Sequence, residues 1–251
     1  MKPWMRKTVL ITSWIVGFAG LGLGVWVAAQ PRGSAVVTGH TVRIHQPADQ
    51  ALLVVADLAP EFRAANAPWT GKASKEINIP LLEEKLRANP FVENAEVFST
   101  WDGRVQTVVK QKQAKARIVS GLQSVYADAS GNVFPLSAHD SPRLPLVSGV
   151  TTAREVRQAL KLLDRAAQHS AFPKGWYALD FDEKTGFTAF PEWHPHRIVW
   201  GDAQDFAAKA HRSKALYAYA LQNQFIDQLD RVDVRFADQV VFTRTTSPSA
   251  P

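Results

Sequence analysis

Leu82-Glu83-Glu84-Lys85-Leu86-Arg87-Ala88-Asn89-Pro90-Phe91-Val92-Glu93-Asn94-Ala95-Glu96-Val97 holds a helix, its stop signal and the start of a strand. Just upstream, Asn78 can cap the helix and Pro80 is tolerated in its first turn. Glu83 and Glu84 favour its positive end, and Ile79, Leu82 and Leu86 form one apolar stripe. Pro90 ends it. Ala95 to Trp101 and Arg104 to Lys110 read as two strands joined at Asp102-Gly103, a dipeptide suited to the positive φ angles of a tight hairpin. Ahead of the helix, Val36-Val37 and Val42-Arg43-Ile44 suggest a first strand. A helical stretch follows around Leu52 to Ala65, then a loop marked by Pro68 and Gly71. The order is strand, helix, helix, strand, strand, which is most simply closed as a small sheet with both helices on one face.

Past Arg117 the pattern turns mostly to strands. Leu122 to Ala127 precedes the turn Asp128-Ala129-Ser130-Gly131-Asn132, and a helix from Arg154 to His169 carries Val156, Leu160 and Leu163 on one face. Strands surround Asp182-Glu183-Lys184-Thr185-Gly186, and Arg197-Ile198-Val199-Trp200 closes at Gly201-Asp202. A helix from Asp205 to Leu221 places Phe206, Ala210, Ser213, Tyr217 and Leu221 at helical spacing. The last strands are read at Val232-Asp233-Val234-Arg235-Phe236 and Val240-Val241-Phe242, with a disordered tail over 245–251. The class is α+β, the second part being a mostly antiparallel sheet with flanking helices.

Everything folded lies after an uncharged apolar run, Val9 to Ala29, preceded by Lys2, Arg6 and Lys7. About twenty apolar residues at 1.5 Å rise match the roughly 30 Å hydrocarbon core of a bilayer. Val9, Trp14, Phe18, Leu23, Trp26 and Ala29 mark this expected single transmembrane helix. The flanking cations predict residues 1–8 in the cytoplasm and the remaining chain across the membrane. A cleaved signal peptide ending near Val27-Ala28-Ala29 is the rival, but the run exceeds the usual h-region of about 7 to 15 residues. Trp4 and Trp26, near its two ends, also favour an anchor.

The 251 residues contain no cysteine, which excludes disulfides, thiolate metal sites and a Cys nucleophile. A net charge of +6 invites a nucleic-acid reading. However, Lys110, Lys112, Lys115 and Arg117 alternate with Gln and Ala as on a solvated sheet face. Anionic lipid or cell-wall polymer suits that charge better behind a membrane anchor. No nucleophile elbow, phosphate loop or zincin helix is present. Glu192-Trp193-His194-Pro195-His196 reads as a polar loop between strands, with no third metal ligand at useful spacing. Asp180, Asp182 and Glu183 read as turn residues beside Gly186, and Trp176, Phe181, Phe187, Phe190 and Trp200 as sheet core. The sequence offers no cofactor site, small-molecule substrate site or catalytic cluster.

Taken in order, the pieces resemble the bacterial cell-division family FtsQ, called DivIB in Gram-positive organisms. Leu82 to Val97 looks like the second half of its POTRA domain. Further matches are Tyr126-Ala127-Asp128, Gly131-Asn132-Val133-Phe134-Pro135-Leu136, Arg143-Leu144-Pro145-Leu146-Val147-Ser148-Gly149 and Val232-Asp233-Val234-Arg235-Phe236. The stretch Asp238 to Phe242 and the spacing after Tyr126 look closest to Bacteroidota-type members. The resemblance implies a POTRA-like domain over 30–117, a beta domain over 118–244 and a non-enzymatic divisome scaffold in the inner membrane with its bulk in the periplasm. It also implies FtsB- and FtsL-type partners adding a strand to the sheet edge near the C-terminus, where Arg235, Phe236, Val240, Val241 and Phe242 are the candidate contacts. A POTRA-bearing chaperone or transport component is the alternative, and it calls for several POTRA copies or a barrel. Where many members carry Glu-x-x-Pro-x-Ala at the end of the POTRA sheet, this chain has Gln111-Lys112-Gln113-Ala114-Lys115-Ala116. Without proline one more backbone N–H is free to donate, and the strand is expected to run on into the next domain.

Overall fold

The computed structural model describes residues 36–245, so the expected anchor residues Val9, Trp14, Phe18, Leu23, Trp26 and Ala29 lie outside the described residues. Among the described residues no helix is long and apolar enough to cross a membrane.

The N-terminal elements follow the predicted order. Strand β1 (Gly39–His45) leads to a 3-10 turn (Val55–Leu58) and the short helix α1 (Ala59–Ala64). Helix α2 (Ile79–Ala88) precedes the hairpin of β2 (Val92–Ser99) and β3 (Arg104–Gln111). Asn78 caps α2, its Oδ1 accepting from Leu81 N–H at 3.1 Å. Gly103, at φ +80°, makes the hairpin turn. The sheet order is β1-β3-β2, with β1 parallel and β2 antiparallel to β3. Leu58, Leu82 and Leu86 from the helical layer share a core with Val92, Val97, Val105 and Val109.

A nine-stranded sheet forms the rest. It contains β4 (Ala116–Ser120), β5 (Gln123–Ala127), β6 (Val133–Phe134), β7 (Leu146–Ser148), β8 (Trp176–Asp182), β9 (Gly186–Pro191), β10 (Arg197–Gly201), β11 (Leu229–Asp233) and β12 (Val241–Arg244). Their order is β12-β11-β10-β9-β8-β7-β4-β5-β6. Three of its pairings are parallel: β4 with β7, β7 with β8, and β10 with β11. Helix α3 (Ala153–Gln168) connects β7 to β8, and α4 (Phe206–Gln222) connects β10 to β11. Both crossovers step the same way along the sheet between strands of the same direction. The right-handed rule then lays both helices on one face, and they share one core with the sheet. A single inward row, Phe242-Val232-Ile198-Ala189-Leu179-Val147-Ile118-Val125, crosses eight strands beneath them.

Leu221 departs from expectation. It is exposed, whereas the buried stripe of α4 runs through Phe206, Lys209, Ala210, Ser213, Leu216, Tyr217 and Ala220. At about 100° per residue Leu221 lies some 80° from the centre of that stripe. Buried Lys209 is neutralised by Asp202, with Nζ 2.6 Å from Oδ1.

The strand does not run on between the two sheets. β3 ends at Gln111 and β4 begins at Ala116, and the N–H that proline would lack is used instead by a side chain. Ala114 N donates to Gln50 Oε1, and Gln50 Nε2 donates to Ala114 O, both at 2.9 Å. Gln111 completes the joint, its Oε1 accepting from Leu53 N and its Nε2 donating to Gln50 O, again at 2.9 Å. Leu52, Ala114, Tyr126 and Phe134 bury a small shared core beside it.

Candidate partner-binding edge

The sheet order leaves β12 with a neighbour on one side only, so its backbone groups on the other side are unpaired. It is antiparallel to β11, with Val232 opposite Phe242 and Asp233 opposite Val241. The period of two sends Phe242 and Arg244 to the helix-covered face and Val241 and Thr243 to the open face. Phe242 stacks on buried Phe225, with centroids 5.5 Å apart and planes within 8°. The Arg244 guanidinium lies 3.7 Å from the Phe225 centroid, and Tyr219 meets the same ring edge-on at 5.6 Å. Thr245 N donates to Gln228 O at 2.7 Å and ties down the strand's end. The edge strand is therefore fixed from beneath while half of it stays open, with Val241 45% exposed.

The expected strand Val232 to Phe236 is displaced by three residues, running instead over Leu229–Asp233. It stops at Asp233, and Arg235, Phe236 and Val240 lie in the connection to β12. The reason is an internal ion pair that turns the chain. Arg235 Nε donates to Asp233 Oδ1 at 2.9 Å and its terminal NH2 donates to Oδ2 at 2.7 Å, a two-pronged contact completed by Arg235 N to Oδ1 at 3.2 Å. Arg231 reaches Oδ2 at 3.3 Å. Burial opposes ionisation of Asp233, but the Arg235 bonds and the Arg231 charge outweigh it and hold the carboxyl below its ordinary value. The Arg235 stem lies over Gly201, where an added Cβ would stand 2.9 Å from its Cγ, and Gly201 sits at φ +79°. Arg235 thus shapes the loop, while Phe236, 44% exposed, presents its ring. Phe225, Arg244 and Tyr219 were missed from sequence. The apolar Phe225-Ile226 pair directly after the polar helix end Gln222-Asn223-Gln224 was the available signal.

The histidine loop lies between β9 and β10 as read, but its imidazoles are buried rather than solvated. His194 and His196 are buried, their Nδ1 atoms 3.0 Å apart, and His196 Nε2 meets Tyr217 Oη at 2.9 Å. Neutral tautomers satisfy this chain when Tyr217 donates to His196 and His196 to His194. Burial, then the His194 charge, lower the His196 pKa to about 4, and burial raises that of Tyr217. Asp182 is a turn residue as read, accepting from Thr185 N and Lys184 N at 3.0 Å. Asp180 lies in β8 and accepts from Ser148 Oγ. Trp176, Phe187 and Trp200 are core, and Phe181 packs against it; Phe190 lies opposite, beside exposed Tyr177. Among the described residues no group of three His, Asp or Glu side chains could hold a metal ion.

A small helix-backed sheet joined to a larger mixed sheet that ends on an open strand defines a two-module α+β protein. Residues 35–110 match a POTRA-like domain, and residues 114–243, more than half of the chain, match the family described as FtsQ/DivIB, C-terminal related. The chain belongs to the FtsQ/DivIB family and has a role in cell division. Among solved structures it is similar to the major extracytoplasmic domain of the trans isomer of the bacterial cell division protein DivIB from Geobacillus stearothermophilus. That match has 12% identity over 45% of this chain and 97% of the other, with a TM-score of 0.32, a likeness too slight to argue from. No curated protein matches the chain.

Proposed function

We propose that this protein is a non-enzymatic, single-pass scaffold of the division complex, anchored in the inner membrane by Val9 to Ala29 with its N-terminus cytoplasmic. Segment 30–117 acts as its POTRA-like module and 118–244 as its partner-binding beta domain in the periplasm. FtsB- and FtsL-type partners add a strand to β12, supporting septal peptidoglycan synthesis. The observation that carries this reading is β12 itself, an edge strand of the matched domain whose inward side chain is held by Phe225 and whose outward backbone is open. Val241 and Thr243 offer alternate side chains on the free face, and Phe236 and Val240 flank the strand. Arg235 contributes by holding the loop.

The test is co-purification of the FtsB- and FtsL-type partners with two variants. Val240→Pro stiffens the approach to β12, and a Val241→Lys/Thr243→Lys pair charges the open face while leaving Phe242 packed. Partner recovery falls severalfold while the circular dichroism spectrum is kept. Undiminished recovery with both folded variants refutes the edge as the binding site.

A further inference from the structure

The chain enters the described fold beside the tip of the β2–β3 hairpin. Thr38 N donates to Gly103 O and Val37 N to Lys72 O, both at 2.9 Å, and Val36 bridges to Ala73. β1 begins level with Arg104 and, parallel to β3, carries the chain away from the tip toward Lys110. The eight residues of β3, at about 3.3 Å each, place the Gln111 joint some 25 Å from the tip. Whatever holds the residues before Val36 therefore holds the hairpin tip near it.

That tip carries Trp101, 95% exposed in a fold that buries Trp69, Trp176 and Trp200 to 3% or less. Val36, beside it, is also exposed. Arg104, 3.6 Å from Asp102, stands at the tip, and exposed Lys72 and Lys75 with Glu76 follow in the segment that bonds the entering chain, the Lys72 ammonium donating to Asn66 O at 3.1 Å. A lone exposed apolar residue is ordinary, so position decides the meaning. Ala29, the last residue of the apolar run, precedes Val36 by seven residues, a reach of at most about 25 Å even fully extended. An indole is most favourably placed at a bilayer interface, its ring among acyl chains and its N–H hydrated, and neighbouring Lys and Arg extend to phosphates. Anionic lipid attracts each such cation near the surface.

We propose that Trp101 seats the POTRA-like module on an anionic lipid surface, with Arg104, Lys72 and Lys75 facing the headgroups. This rests on Val9 to Ala29 being a membrane anchor. The seating starts β3 at the bilayer, so the joint with the nine-stranded sheet stands at most about 25 Å above it.

Because the chain has no cysteine, single-cysteine variants of the full chain can each carry one fluorescent label. The variants are Asp102→Cys at the tip, Leu122→Cys at the fully exposed β4–β5 turn, and Phe18→Cys in the apolar run. They are reconstituted in vesicles of phosphatidylethanolamine and phosphatidylglycerol. Relative to position 122, the label at 102 is severalfold better protected from aqueous iodide and is quenched by lipid-borne nitroxide. Adding Trp101→Ala removes most of that protection. A label at 102 as open to iodide as one at 122, with position 18 deep in hydrocarbon, overturns the seating and leaves the anchor intact. A label at position 18 in water overturns both. Energy transfer between labelled copies at the tip assigns the contact to a second copy and also overturns the proposal.

Discussion

Gln50→Ala is the sharpest probe of how the two sheets are joined. Gln50 is 3% exposed and its side-chain amide satisfies both backbone groups of Ala114, itself 1% exposed. Truncation leaves a buried N–H and a buried C=O without partners, at about 1 to 3 kcal/mol each. The expected loss is therefore about 2 to 6 kcal/mol, a large part of the stability of a typical domain. Gln50→Glu separates this account from a simple loss of packing. Its carboxylate can still accept from Ala114 N, but its second oxygen then faces Ala114 O without a proton. The introduced carboxyl has a raised folded pKa. Its neutral form donates as the amide did, so the deficit against the native chain is small well below the ordinary carboxyl value of about 4.3 and grows as pH rises through the raised value. Urea unfolding of both variants beside the native chain, at several pH values, measures this. A loss below about 1 kcal/mol for Gln50→Ala, or a Gln50→Glu deficit that does not change with pH, refutes the reasoning.

Arg235→Ala leaves buried Asp233 with Arg231 alone and costs about 2 to 3 kcal/mol, less than the 3 to 5 typical of a fully broken buried pair; urea unfolding at neutral pH checks it. Because the folded pKa of Asp233 is depressed, the native pair's contribution is present above the ordinary carboxylate value and lost as pH falls through the folded one, so the Arg235→Ala deficit shrinks in acid. His196 is neutral in the fold down to about pH 4, while the unfolded chain takes up its proton near 6.5. Stability is therefore full above pH 6.5 and falls between 6.5 and 4 with a slope approaching one proton, and His196→Phe flattens that limb in pH-dependent unfolding. Gly201→Val meets both the positive φ and the Arg235 stem, costs about 1 to 3 kcal/mol, and weakens partner recovery by displacing the β11–β12 loop.

What the sequence by itself determined is what local energies decide within a few residues. The Asn78 cap, the Pro90 stop and the Gly103 turn each close over three or four positions, so the spacing of residue types suffices. The order of elements, the class and the family resemblance follow from those signals in series. Tertiary structure alone decided the rest, because the partners are distant in the chain. Gln50 and Ala114 are 64 residues apart, and nothing local distinguishes an amide that will join two sheets from one bound for solvent. His194 and His196 look polar in a loop and become buried once Tyr217 of α4 packs over them. Arg235 looks free on an alternating stretch until Gly201, from another strand, gives its stem a bed and Asp233 takes its charge. The same holds for the edge. Alternation marked Val241 and Phe242 as strand, but only the crossovers through α3 and α4, stepping one way across the sheet, put β12 last in the row with one side unpaired.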